Sequence, residues 1–255
     1  MAATGANTSM TPTLSPGLEP LFRRLALRDT VSDDERSALT EVMSEVRSLP
    51  AGADIVREGE RPGRSTLVLS GLTCRYRNLE NGKRQITAIH VPGDFVDLHS
   101  FLIKQMDHSV GALSPIVVAY APHEGLERIT ERLPHLARLL WLLTLIDASI
   151  HRQWLVTMGA YPALNRTAHL LCELFTRLTF DSGQTSSSLT LPITQQDLGD
   201  TLGLSTVHTN RVIQELRARG LIQWQAQEIR MLNWAGLAEL AQFDPLYLHL
   251  GKEPR

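Results

Sequence analysis

Four side chains between Thr206 and Arg211 carry the clearest chemistry in the sequence. Thr206, Val207, Asn210 and Arg211 lie on the side of a helical stretch opposite Thr209, Val212, Ile213 and Leu216. Small, amide and guanidinium side chains are the types that fit base edges in a DNA major groove. Nearby, Thr194, Gln196, Ser205 and His208 offer donors suited to phosphate oxygens, and helix N-termini would add backbone N–H groups. A second set is His90, His99 and His108 with Asp94, Asp97 and Asp107. Such residues can ligate a metal, or one imidazole can hold haem iron. No H-x-H or H-E-x-x-H spacing joins them, so they read as ordinary polar residues, and neither metal nor cofactor is expected. Cys74 sits in a strand-like run and reads as a small buried hydrophobe rather than a reactive thiol. There is no serine-nucleophile motif, phosphate-binding glycine loop or paired-carboxylate signature, so no catalytic residue is assigned.

The DNA-reading set needs two helices and a tight turn. Thr194 is a good N-cap with Asp197 at the capping-box position, which predicts a first helix over 195–202 with Ile193, Leu198 and Leu202 inward. Gly203 supplies a turn, and Ser205 caps a second helix that ends at Gly220. Leu221 to Leu232 alternates enough for a small hairpin, a wing. Arg211, Arg217 and Arg219 outweigh Glu215 on the second helix, but Asp197 and Asp200 make the first helix acidic. The segment resembles the DNA-binding motif of the Crp/Fnr family of bacterial transcription regulators. The resemblance is carried by Ile193, Thr194, Asp197, Leu198, Gly199, Leu202, Gly203, Leu204, Ser205, Arg211, Leu216, Gly220, Leu221 and Ile222. It implies base-reading positions at the start of the second helix and an Arg four to five residues on. Arg211 matches the latter. Thr206-Val207 stand where Arg-Glu is common, which implies a different target sequence.

Upstream, the chain has room for a second core: it has 255 residues, 43% of them hydrophobic. The net charge of −2 excludes a general polycation, so any basic patch must be local. Residues 1–17 are small and polar and read as a disordered lead-in. A short helix is predicted from Leu18 to Leu27. A second opens at Ser32, buries Leu39, Val42, Met43 and Val46, and ends at Pro50. Strands are predicted at Ile55–Arg57, Ser65–Ser70, Leu72–Leu79, Arg84–Val91 and Ile116–Ala121, a spacing typical of a barrel or jelly roll. Val56 to Leu98 resembles the cyclic-nucleotide-binding-like β-roll of the same family, most tellingly at Gly71 and at Pro92-Gly93-Asp94-Phe95. In family members that bind cyclic nucleotides, a Glu holds the ribose and an Arg neutralises the phosphate. Here the matching segments read Asp97-Leu98-His99 and Asp107-His108-Ser109, a degenerate effector pocket in which Asp107 would repel a phosphate. The two cysteines, Cys74 and Cys172, are too few for the family's iron–sulfur branch.

Pro134 opens a long helix with Leu139, Leu142, Leu143, Ile146, Ile150, Gln153 and Thr157 on one stripe. The resemblance implies that this is a dimerisation helix and that the stripe faces a second copy. Tyr161-Pro162 breaks it, and a further helix over 163–178 follows. A polar loop spans Asp181–Ser188, and Trp234 to Leu250 reads as a docked helical tail. The expected fold is α+β. A disordered lead-in (1–17) precedes a jelly-roll sensor, or double-stranded β-helix (18–133). A dimerisation helix and hinge (134–160) then lead to a winged helix-turn-helix with its tail (161–255). The expected function is a homodimeric, non-enzymatic regulator that binds an inverted repeat in double-stranded DNA, with RNA polymerase kept open as a further partner. Free thiols, no signal peptide and no apolar run of the ~20 residues that span a bilayer point to the cytoplasm and away from membranes. The alternatives are a metal-dependent cupin-like enzyme, which would need the missing H-x-H, and a ligand-binding module without DNA binding.

Overall fold

The computed structural model describes residues 17–179 and 187–254. The lead-in, apart from Gly17, and most of the Asp181–Ser188 loop fall outside them. Helices α1 (Glu19–Ala26) and α2 (Asp33–Val42) come first. α2 starts on a complete capping box, Ser32 accepting from the Glu35 N–H and Glu35 from the Ser32 N–H. It stops at Val42, short of the predicted Pro50. Glu45–Leu49 is instead a strand, β1. Its residues pair antiparallel with 116–120, and Val46 is 41% exposed, so it does not extend the buried face of α2.

The roll continues with β2 (Asp54–Val56), β3 (Arg64–Ser70), β4 (Thr73–Asn78) and β5 (Arg84–His90). A one-turn helix α3 (Ser100–Ile103), β6 (Ser109–Ala112) and β7 (Ile116–Pro122) complete it. One sheet runs β1-β7-β3 and the other β2-β6-β4-β5. Side chains of both sheets meet in shared apolar clusters, among them Val56, Val68 and Val110, which is how two half-buried sheets form a jelly roll. Gly71, with φ +80°, connects β3 to β4 where a Cβ would lie 2.3 Å from the Pro115 carbonyl oxygen, so only glycine fits. β6 was not legible in advance, since Ser-Val-Gly-Ala is short and carries little strand preference.

α4 (His123–Arg132) leads into α5 (Pro134–Ala160), a 27-residue helix. α5 requires a correction. Leu139, Ile146, Ile150 and Thr157 are buried inside their own chain, and Leu142, Leu143 and Gln153 are half-buried. That stripe packs on the roll and on the C-terminal half, so it is not a free interface. The outward positions are Trp141, Leu145, Arg152 and Leu155, with Val156 beside them and Ala148 half-buried between. Trp141 is 65% exposed, Leu145 48% and Leu155 74%. The helix is apolar on two sides, and spacing alone cannot say which side meets the roll.

Tyr161 is extended (φ −95°, ψ 140°), as the following proline demands, and α6 (Ala163–Thr179) starts afresh. Then come β8 (Ser188–Thr190), α7 (Gln195–Leu202), α8 (Thr206–Ala218), β9 (Ile222–Gln225), β10 (Glu228–Met231), α9 (Trp234–Ala241) and a 3-10 turn over Pro245–Leu248. One apolar cluster spans the 160/161 division, joining Cys74 and Ile89 of the roll to Ile150, Leu171, Leu198 and Leu216. A buried polar network braces the same region. Glu173, fully buried on α6, accepts from the Trp154 indole (3.0 Å), the Tyr247 hydroxyl (2.9 Å) and Arg177 (2.9 Å). Arg177 also pairs with Asp94 at 2.8 Å, and Asp94 with Arg24 at 2.9 Å. Burial raises the Asp94 carboxyl, but Arg24 and Arg177 outweigh it and hold the group below its usual range. Asp94 is therefore a structural hub rather than a ligand to anything outside the chain. The Cys74 thiol is buried and pushed up to about 12, an inert thiol.

Candidate nucleic-acid interface and the neighbouring cleft

α7 and α8 are built as local sequence dictates. The Thr194 hydroxyl accepts from the Asp197 N–H at 3.0 Å, and the Thr194 N–H donates to Asp197 Oδ2 at 2.9 Å. Gly203 turns the chain at φ +63°, and Ser205 caps α8 by accepting from the His208 N–H. Thr209, Val212, Ile213 and Leu216 are buried, as are Ile193, Leu198 and Leu202. That packing leaves Thr206, Val207, His208, Asn210, Arg211 and Gln214 exposed. Val207 is 72% exposed, an aliphatic side chain with nothing over it. Thr206 donates to Gln196 Oε1 (2.9 Å) and Asn210 to Gln195 Oε1 (3.2 Å), so an amide layer links the two helices at the exposed face. Arg211 has no hydrogen bond or ion pair among the described residues, which leaves its five donors for an outside acceptor.

Two details differ from the sequence reading. Thr194 was expected to reach phosphate, yet its hydroxyl donates to Asp197 Oδ2 at 2.6 Å and accepts from the Asp197 N–H. Both roles go to the cap. Asp197 and Asp200 were expected to weigh against an anionic partner. Instead Arg84 of β5 pairs with both, at 2.8 Å to Asp200, and Gln85 donates to the Asp200 carbonyl at 2.8 Å. The acids are turned toward the roll, where Arg84 offsets one of their two charges. Sequence reasoning also passed over Arg230 and Gln223, cross-strand partners on the exposed face of the wing. The alternation along 222–231 was the available signal.

The expected effector pocket is only partly assembled. His99, Asp107 and His108 line a cleft of about 470 Å³ with Arg75 and with Thr144, Asp147, Ala148 and His151 of α5. The other members are elsewhere. Asp97 is buried and accepts from the Thr66 N–H and from the Thr66 hydroxyl at 3.0 Å. Burial pushes its carboxyl up to about 6 against those bonds. Ser109 accepts from the Glu58 N–H at 3.0 Å, and Leu98 lines an adjoining cavity of about 40 Å³ with Arg24, His90 and Asp94, to which Arg75, His99 and Asp147 of the cleft also contribute. A carboxylate tied to its neighbouring strand and a serine tied to a loop are held by the roll itself. Burial, with Arg75 nearby, lowers His99 to about 4 and also lowers His108, so both rings are neutral near pH 7. Asp147 pairs with Arg75 across the cleft floor.

Two family models match the chain in the order of its two halves. A cyclic nucleotide-binding domain covers residues 46–132, and a Crp-like helix-turn-helix domain covers residues 165–240. Among curated proteins, the chain is 29% identical over 224 residues to the transcriptional activator protein anr of Pseudomonas aeruginosa, which covers 88% of this chain and 90% of that protein. It is 26% identical over 217 residues to the transcriptional activator protein FnrA of Stutzerimonas stutzeri, covering 85% of this chain and 88% of that one. Among solved structures, FixK2 from Bradyrhizobium japonicum superposes with a TM-score of 0.71 at 26% identity, over 77% of this chain and 96% of that one.

Proposed function

The chain belongs to the Crp/Fnr family of transcription regulators, and from that premise we propose that two copies join along the outward stripe of α5 and read an inverted repeat in double-stranded DNA. The protein is a transcription regulator of this type, not an enzyme, and the cupin-like alternative is not favoured. One observation carries the base-reading claim. α8 is packed and capped on one side, and on the other presents Val207, Asn210 and Arg211 to solvent, with Arg211 unpaired among the described residues. A helix held in that way enters the major groove by its N-terminal half, and a two-fold dimer puts its twin about one DNA turn away. Arg211 donates to a guanine, Val207 packs on a thymine methyl, and Thr206 and Asn210 use the groups left over from the amide layer. Ser205, Gln196 and His208 sit where phosphates pass, with the free N–H groups of the helix starts beside them. Trp141, Leu145, Leu155 and Val156 supply the dimer contact, since large apolar groups in one exposed row are rarely left in water. Among the described residues no helix is long and apolar enough to cross a membrane, which fits the cytoplasmic place proposed for a DNA-binding regulator. RNA polymerase is a further partner in this proposal.

The test is selection of duplexes from a random pool by the purified protein. A two-fold symmetric motif is expected. Arg211→Ala should weaken the preferred site by ~1–3 kcal/mol and relax selection at one position per half-site. Unchanged selection by that variant would remove Arg211 from the base-reading set.

A further inference from the structure

We propose that His99, His108 and Asp107 bind one divalent transition-metal ion of the zinc class at the mouth of the cleft between the roll and α5. The three residues each bring one candidate ligand atom to within 4.8 Å of the others. They come from two places, His99 at the start of α3 and Asp107-His108 just before β6, so the fold and not local sequence assembles them. The His99 and His108 ring centroids are 5.1 Å apart.

The two imidazoles also lack what buried imidazoles normally have. Nε2 of His99 and Nε2 of His108 are each buried without a hydrogen-bond partner. A buried polar nitrogen with no partner is unfavourable, and here two occur side by side at one spot. Asp107 Oδ1 lies 2.6 Å from His108 Nδ1, so the carboxylate already stands beside the second imidazole. The Asp107 side chain is 84% exposed, so it can swing to ligate without disturbing the core. The two arginines that line the cleft are paired, Arg75 with Asp147 and Arg77 with Glu58, so they do not leave it strongly cationic. Two imidazoles and one carboxylate suit zinc, cobalt or iron(II) rather than calcium or magnesium, and three protein ligands leave a position open to the cleft. Asp107 would repel a phosphate, and the same charge favours a cation. The proposal does not depend on DNA binding.

The experiment uses the full-length chain without a tag. Zn²⁺ is titrated calorimetrically in competition with a chelator of known affinity, and Co²⁺ is added as a spectroscopic probe. One ion per chain is expected, with visible cobalt bands typical of nitrogen and oxygen ligands. His99→Gln and His108→Gln should each weaken binding by more than the ~10–100-fold that loss of an outer-shell partner costs. Asp107→Asn should weaken it at least tenfold. Because that residue is exposed, its variant keeps the test valid if either histidine variant fails to fold. The chain has nine histidines, so stray sites need a control. Wild-type affinity in the His99/His108 double variant or in Asp107→Asn, or no saturable binding by the wild type, overturns the assignment.

Discussion

Truncating Leu155 tests the dimer and the choice of helix face together. The side chain is 74% exposed in the single chain, so a partner can cover about three quarters of it. Full burial of a leucine is worth ~1.5–3 kcal/mol, and a two-fold axis counts each substitution twice. Scaling by the exposed fraction, Leu155→Ala should weaken the dimer by ~2–4 kcal/mol, a factor of roughly 30 to 1,000 in its dissociation constant. Leu139 is the informative contrast. It lies on the same helix but is wholly buried against its own chain. Leu139→Ala should cost ~2–5 kcal/mol of folding stability and leave the dimer equilibrium of the folded protein nearly unchanged. Sedimentation equilibrium over a dilution series reads the first effect, and denaturant unfolding at one concentration reads the second. If Leu155→Ala sediments like the wild type, or if Leu139→Ala splits the dimer without a loss of stability, the outward stripe is not the interface.

Other outcomes follow from the buried contacts. Glu173→Ala leaves Arg177 with Asp94 as its ion-pair partner and the Ile89 carbonyl as a further acceptor, and removes the acceptor of Trp154 and Tyr247; breaking a buried pair in this way should cost ~3–5 kcal/mol in denaturant unfolding. A cost below ~1 kcal/mol would show that the network is already wet or relaxed. His135 sits 2.6 Å from Glu35 and 3.2 Å from Asp29, and these bonds raise its pKa. A raised folded pKa means that the contribution is complete below the unfolded value near 6.5 and is lost as pH rises through the folded one. The melting-temperature gap between wild type and His135→Gln should therefore shrink as pH rises above the unfolded value near 6.5, and a gap that widens would reverse the assignment.

Much of this architecture is written in short stretches of chain. The Thr194–Asp197 and Ser32–Glu35 capping boxes, the Gly203 turn, the Ser205 cap and the break at Tyr161-Pro162 all involve residues within a few positions of one another. Their hydrogen bonds and backbone limits act locally, so the helix-turn-helix and the exposed face of α8 were legible from the sequence. Most strands of the roll were legible too, from β-branched runs punctuated by glycine. What was not legible depends on distant partners. β1 exists because β7, some 70 residues on, offers it a full ladder of hydrogen bonds. Asp97 left the expected pocket because Thr66 holds it, and the acids of α7 face the roll because Arg84 pairs with both from there. The same holds for the two apolar stripes of α5. Periodicity marks where the apolar side chains are, but the stripe that ends up in the core is chosen by which one the roll and α6 can cover.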